Sequence, residues 1–432
     1  MVKNTTKAAL WTAVNTTPAQ YPWLDEDITC DVAIIGGGIA AALCALRFAE
    51  AGLNTVMLSA DPVGHGGTAA ASGILSLTGE DSLSTLVDKI GADRALNAVS
   101  LMEEAIDTIE KLCARFAEED GERGDCGFTR MDSLRYTDVS RSEAAIRQEY
   151  SLQLHNGYVA ELLGAVSASA QFTFPMEAGV YTKGVAAQVD PYRLVHAVTA
   201  AAKRKGARIY ENTGVKAMRP LTQEGEFARM QMDCSTGRRV EAGYAIVAAG
   251  METNRHCGGL EQVRTTYMVA TEPVEEFAGW RGPCVIHRED DPRLYLTVTP
   301  DKRILIGGMD SAFMDERGRF AGKVDLSVVA EKRYEALECT MREMFPAIRG
   351  LTPEYVFSAR DGRTADGLPV IGRLPEKENK EAASHVAYAL CCGDNGILHA
   401  EIASRLLLQQ YQGVDNNQLG LFSPNRHWRI KR

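Results

Sequence analysis

CDVAIIGGGIAAALCALRFAEAGLNTVMLSA, residues 30–60, decides how the chain is read. Residues 31–35 are a short apolar run with β-branched side chains, stopped by three glycines. Residues 39–51 are rich in Ala and Leu and suit a helix, and Gly52 stands where it would stop. Residues 55–58 form a second apolar run of strand length. The glycines have separate jobs. Gly36 permits a tight turn out of the strand, and Gly38 lets backbone approach a pyrophosphate. Ala41 keeps the third position small where helix meets strand. The amides of Ile39, Ala40 and Ala41 would then offer the helix N-terminus to negative charge. An acidic residue is expected at the end of the second strand to hold ribose hydroxyls. Ser59 stands there and Asp61 follows two residues later, so either one is a candidate.

Composition narrows the classes. The chain has 432 residues, 45% hydrophobic and 24% charged, which suits two or three folding units with a large core. A net charge of −10 and a pI near 5.5 leave no footprint for nucleic acid or anionic membrane. No run approaches a membrane span, and the N-terminal residues lack the apolar core of a signal peptide. Ten cysteines without a CxxC pair suit a reducing, cytoplasmic setting, with Cys391 and Cys392 expected as packed thiols. No Cys/His spacing suggests a metal.

Along the chain, residues 1–27 read as an arm pinned by Trp11, Tyr21 and Trp23. Residues 63–73, VGHGGTAAASG, are small enough to pass under a flat ligand. Helical patterns fill 82–117 and 192–205, and strand patterns fill 264–271, 294–299 and 303–308, up to about residue 328. Residues 244–250, YAIVAAG, read as a central strand beside the dinucleotide. The fold class expected is α/β: a discontinuous Rossmann-like dinucleotide-binding domain plus an α+β substrate domain with a mostly antiparallel sheet. The arm is 1–27. The dinucleotide domain takes 28–117, 183–263 and 336–432, and the substrate domain takes 118–182 and 264–335.

The order of motifs resembles the FAD-dependent oxidoreductases of the D-amino-acid oxidase superfamily, the group of glycine and sarcosine oxidases. VAIIGGGIAAALCALRFAEAG, VDPYRLVHAVTAAAKRKGARIYENTGV, AIVAAG, RTADGLPVIG and YALCCGDNGILHAEIASRLL carry the likeness, which covers nearly the whole chain. It implies noncovalent FAD, with Gly36, Gly38 and Ala41 at the pyrophosphate and Val215 at the adenine side. Ala249 and Gly250 would line the crevice, and Gly67, Thr68, Ala71 and Ser72 would run beside the flavin. Gly393, Asp394, Asn395, Gly396 and Ile397 would close over its pyrimidine edge. There the amides of a glycine turn and a helix N-terminus suit the negative charge that grows on reduction.

The resemblance implies oxidation of a small amine or amino acid by hydride transfer to flavin N5. Imine hydrolysis follows, with reoxidation by oxygen or another acceptor. The amine must be neutral when hydride leaves, which an apolar pocket favours. Relatives that oxidise amino acids hold the substrate carboxylate with an arginine near 360–366. Arg360 and Arg363 are the candidates, and Asp361 stands in the relatives' register. Tyr267, Tyr295 and His287 are candidates above the flavin. His65 is the minor candidate for a covalent link, His399 reads as structural, and Lys302 and Arg303 lie in the neighbourhood where the resemblance implies an oxygen-activating lysine. Two competing readings are an FAD-binding subunit of a larger redox complex and a nicotinamide dehydrogenase. The second leaves the 393–397 motif unexplained.

Overall fold

The computed structural model describes residues 5–223, 226–257, 259–311, 326–374, 384–391 and 393–426. In chain order the strands are β1 (Ile28–Ile35), β2 (Thr55–Leu58), β3 (Ile74–Ser76), β4 (Thr129–Thr137), β5 (Ala160–Gly164) and β6 (Ala178–Gln188). Next come β7 (Arg208–Tyr210), β8 (Val215–Gln223), β9 (Glu226–Cys234), β10 (Arg239–Val247), β11 (Gln262–Thr271) and β12 (Cys284–Arg288). The last are β13 (Leu294–Val298), β14 (Ile304–Ser311), β15 (Pro353–Arg363), β16 (Val370–Gly372) and β17 (Val386–Leu390).

The first sheet runs β16-β17-β10-β1-β2-β7, with the β8–β9 hairpin joined to β10 through β9. Its central strands are parallel, as β-α-β crossovers require. Val32, Ala33 and Ile34 of β1 are sealed from solvent, which is why the strand reads as a continuous apolar run. The helix Ile39–Glu50 covers one face, flanked by helices Pro191–Arg204 and Gly396–Tyr411, and together they form the largest apolar cluster.

The second sheet runs β15-β11-β14-β13-β12-β4-β6-β3, with β5 on β6. It is antiparallel except where β12 meets β4. Strand alternation gives it two unlike faces. Leu134, Ile286, Leu296, Ile306, Val269 and Val356 lie in register on one face, under Leu337, Met341 and Phe345 at the end of the helix Leu326–Met344. The row beside it, Arg135, His287, Tyr295, Gly307, Met268 and Phe357, faces the first sheet.

The expected fold class is the observed one. The boundaries differ. β3 and β15 belong to the second sheet, although the sequence reading placed 28–117 and 336–432 in the dinucleotide domain. The helix Leu326–Met344 packs on the second sheet and does not lead back to the first. Three residues in β3 carry no period, and β15 finds its partner β11 about ninety positions earlier, so neither has a local signal. The 82–117 pattern is two helices, Leu83–Ile90 and Ala92–Asp120, broken at Gly91 with φ +87°. Residues 312–325, within the stretch read as strand, and Cys392 of the vicinal pair lie outside the described residues.

The arm does join the body. Thr6 bridges Tyr355 of β15, and Trp11 packs against Met268, Leu305 and Phe357 of the second sheet and Tyr192 of the first unit. Farther on, Tyr21 N and Leu24 N donate to Glu211 and Thr213, beyond β7. Asp190 ties the arm to a helix. One carboxylate oxygen caps Pro191–Arg204 through the amides of Tyr192 and Arg193, each at 2.9 Å, and the other accepts from Asn15 at 2.7 Å.

Burial pushes the Asp190 carboxyl up to about 6, against the hydrogen bonds that favour its charge. A raised folded pKa means the protonated group favours folding. That contribution is lost as pH rises from about 4 through 6, on the order of 3 kcal/mol. Asp190→Asn, which stays neutral, should gain on the wild type as pH rises. The difference in melting temperature should be more favourable to the variant at pH 7.5 than at pH 4.5. A difference that does not change with pH would sink this account.

Candidate functional site

A crevice starts where β1 ends. Gly36 has φ +143°, and a Cβ there would lie 2.2 Å from the carbonyl oxygen of Ala248, which follows β10. A Cβ on Gly37 would lie 1.9 Å from Ser59 Oγ. Gly38 is the N-cap of the helix Ile39–Glu50 and supplies no side-chain cap. Thr68 Oγ1 accepts from Ile39 N at 3.1 Å, and Gly64 N donates to Gly37 O at 2.9 Å. These two bonds bring the 64–73 loop to the helix N-terminus. Gly66 and Gly67 face open space, since a Cβ on either would meet nothing within 4 Å. The result is a cradle of small residues with outward amides, and it fits the pyrophosphate of FAD. Trp11 Nε1 holds the loop from behind through Ala71 O at 2.7 Å, and Gln188 Nε2 does so through Ser72 O at 3.1 Å.

Ser59 is 2% exposed and donates to Asp61 O, while the Asp61 side chain is exposed. Glu211, not singled out in the sequence, stitches this corner. It is buried and accepts from Val63 N at 2.7 Å and Tyr21 N at 3.0 Å. Val215 begins β8 beside this corner, where Thr213 N donates to Ser59 O. Ala249 N donates to Thr253 Oγ1, and Gly250, φ +57°, starts the short helix Met251–His256. His65 is turned toward Tyr192, with ring centroids 5.6 Å apart.

The other end is a cleft with about 620 Å³ of empty space. Residues 77–81, Arg264, Arg363, Gly393, Asp394 and Asn395 are among those lining it. Asn395 caps the helix Gly396–Tyr411 by position only, so this helix too presents a first turn without a side-chain cap. A Cβ on Gly396 would lie 2.8 Å from Cys391 O, and the buried Ile397 follows.

Arg264 is the centre of the cleft. Its guanidinium meets Glu80 at 2.6 Å, Asp361 at 2.7 Å, Asp310 at 2.9 Å and Asp394 at 3.8 Å. Burial alone would lower its pKa, but the four carboxylates raise it above the ordinary arginine value. Asp361 works twice, because its other oxygen accepts from Gly393 N at 2.9 Å. Arg363 is bound to Glu80 and Asp81, Arg293 reaches the same two acids, and Lys89 binds Asp81. Burial pushes Asp81 up, yet Arg363 and Lys89 hold it below the usual carboxylate range. Asp310 goes the other way, raised by burial more than Arg264 lowers it.

The structure thus brings Arg363, Gly393, Asp394 and Asn395 together. Tyr295 faces this side as well. Its hydroxyl is 3.4 Å from Thr266 Oγ1, and its ring lies where a Cβ on Gly307 would be. Arg360 does not join them. It pairs with Thr265, one residue out of phase with the Asp361–Arg264 pair, so its exposed side chain takes the opposite face. Tyr267 is also on that face, bonded to Ser311 at 2.9 Å and edge-on to Tyr334. His287 shares a row with Tyr295. Burial, Arg135 and Arg293 hold its pKa well below the usual value. Lys302 sits in the β13–β14 turn, and Arg303 is spent on Asp301 and Glu354. Arg264, Glu80 and Asp310 were missed. The even-numbered side of β11 was the available signal, but its acidic partners lie far off in sequence.

The family model described as DAO, FAD dependent oxidoreductase, matches residues 31–410. Gamma-glutamylputrescine oxidoreductase of Escherichia coli K12 is 24% identical over 95% of this chain and 90% of its own length. Glycine oxidase of Geobacillus kaustophilus is 24% identical over 92% of this chain and 97% of its own. The crystal structure of glycine oxidase from that organism superposes with a TM-score of 0.73 at 21% identity, covering 93% of this chain and 99% of that one.

Two outcomes follow from this geometry. Gly36→Ala combines a backbone strain of about 1–3 kcal/mol with overpacking of about 1–3 kcal/mol. It should lower the melting temperature and the flavin absorbance per protein, even with excess FAD; full occupancy would contradict the cradle. Arg264→Met removes the charge partner of Asp310 and Asp394 and one partner each of Glu80 and Asp361, and should cost about 3–5 kcal/mol. Arg264 opposes the rise of the Asp310 and Asp394 carboxyls, so without it both rise further, and stability is kept at low pH and lost as pH rises. The deficit in melting temperature should be larger at pH 8 than at pH 5.

Proposed function

The chain belongs to the DAO family of FAD-dependent oxidoreductases, enzymes of CH–NH and CH–NH2 bonds, and we propose that its substrate is a small amine with no carboxylate on the reacting carbon. One observation carries this. Both arginines lining the cleft, Arg264 and Arg363, are already bound by carboxylates of the chain itself. An α-carboxylate would have to displace one of them. It would also sit beside Glu80, Asp361 and Asp394, and like charges about 4 Å apart cost several kcal/mol. An amine brings the favourable charge. The names of the relatives include both a putrescine derivative and an α-amino acid, and the charge of the cleft favours the first.

The amides of Ile39, Ala40 and Ala41, with Gly36 and Gly38, would hold the pyrophosphate of FAD. Gly67, Thr68, Ala71 and Ser72 would floor the ring, and residues 393–397 would close its pyrimidine edge. Bound FAD supplies a two-electron acceptor for hydride from the carbon beside nitrogen, leaving an imine that water converts to a carbonyl compound and ammonia or a smaller amine. The chain's own part is to orient the amine, exclude water and keep donors aimed at the growing negative charge. The unit thus also needs an electron acceptor, oxygen or another. The edge-on contact of His65 with Tyr192 supports noncovalent binding of the cofactor.

The test begins with an absorption spectrum before and after acid precipitation. Flavin in the supernatant is expected; colour kept in the pellet would point to a covalent link. Anaerobic bleaching is then compared for primary amines, diamines and the α-amino acids that carry the same side chains. The amines should be better by kcat/KM, at least tenfold. Equal rates, or faster amino acids, would overturn the amine reading. No bleaching by either class would shift the reading to a subunit of a larger redox complex.

A further inference from the structure

Six carboxylates stand around the cleft; Glu261 lies just before β11, and four of the other five are engaged directly. Glu80 bonds Arg264, Arg293 and Arg363, and Asp81 bonds Lys89 and Arg363. Asp310 meets Arg264 at 2.9 Å, and Asp361 binds both Arg264 and Gly393 N. Asp394 differs. Its one charge partner among the described residues is Arg264 at 3.8 Å, beyond hydrogen-bond reach. Its side chain lines the cleft and is 28% exposed to it. It also stands two residues before the helix Gly396–Tyr411, in the turn that Asp361 holds through Gly393. It is therefore the carboxylate that is both fixed and available.

We propose that Asp394 is the catalytic base that receives the substrate's ammonium proton before the carbon–hydrogen bond breaks. This rests on the amine reading above. A carboxylate oxygen of Asp394 takes one proton from R–NH3+, giving R–NH2 and a neutral carboxyl. The nitrogen lone pair so freed drives hydride departure, and the proton leaves to water after product release.

The surroundings suit the task. Burial and the Glu80 carboxylate push Asp394 up to about 7, with Asp361 and Asp310 adding to the rise and Arg264 opposing it. Arg363 and Asp81 across the cleft, Glu261 before β11 and His399 on the helix complete the charged and titratable lining. An alkylammonium with a pKa of about 10.4 stands six to seven powers of ten above an ordinary aspartate. With Asp394 near 7 the exponent is roughly halved, as a base working at neutral pH requires.

The experiment uses the FAD-loaded enzyme and tert-butylamine, which has no hydrogen on the carbon beside nitrogen and so binds without being oxidised. Binding is read from the shift in flavin absorption. In the wild type the affinity should rise about tenfold from pH 6 to pH 8, as the carboxylate forms. In Asp394→Asn it should be weaker and flat across that range, and Asp394→Glu should restore the slope. An unchanged slope in Asp394→Asn, or no binding between pH 5 and 9, overturns the proposal. With any amine that bleaches the flavin, the acid limb of kcat/KM near pH 7 should move above pH 9 in Asp394→Asn. Oxidation with the limb unmoved overturns the role of Asp394 alone. Binding that depends on Asp394 without oxidation of any amine overturns the amine reading and the proton transfer with it. Flavin content and melting temperature of Asp394→Glu, measured alongside, show whether the turn has folded.

Discussion

One guanidinium holds the cleft together. Arg264 reaches acids on the loop after β3, on β14, on β15 and in the turn before the helix Gly396–Tyr411. No two of those segments are neighbours in sequence. Burying so many charges costs desolvation, and such networks contribute more to a unique arrangement than to net stability. The arrangement is the point here. Asp361 relays the hold from Arg264 to Gly393 N, so the second sheet sets the turn at the edge of the dinucleotide sheet.

The same arrangement leaves neither Arg264 nor Arg363 free of the chain's own carboxylates. An arginine free of partners would invite a carboxylate. Arginines already bound by the chain's own acids do not; burial raises Asp310 and Asp394, and the neighbouring carboxylates add to that rise. At the far end the constraint is steric. Gly36 and Gly37 let β1, Ala248 and Ser59 approach so closely that no side chain fits, and the cofactor cradle is the space that results.

The arm adds a third constraint. It bridges β15 at Thr6, packs Trp11 between the sheets and anchors beyond β7 at Tyr21 and Leu24. The indole of Trp11 reaches Ala71 O, in the loop of small residues. The relation of the two sheets and the shape of that loop are therefore coupled through one aromatic side chain.

Much of this was legible in the chain. The glycine fingerprint, its flanking strand and helix, the small residues of 64–73 and the terminal 393–397 turn depend on local rules: which residues turn, which cap, which stay small. They determined the fold class and a dinucleotide cofactor, and the resemblance carried by the whole order of motifs implied FAD. The domain boundaries at β3 and β15 were not legible, because a three-residue strand has no period and a strand's partner is a matter of register. Arg360 and Arg363 looked alike in sequence, and only the phase of β15 against β11 sends one outward and the other into the cleft. Arg264 drew no notice because a charged residue at a strand's start is commonplace until its partners are known. The sequence by itself determined the dinucleotide unit, since each of its signals is a short stretch that is read without knowing its distant partners. The tertiary structure alone decided the charge of the cleft, since that is a sum over side chains up to 314 positions apart, brought within a few ångströms by two sheets.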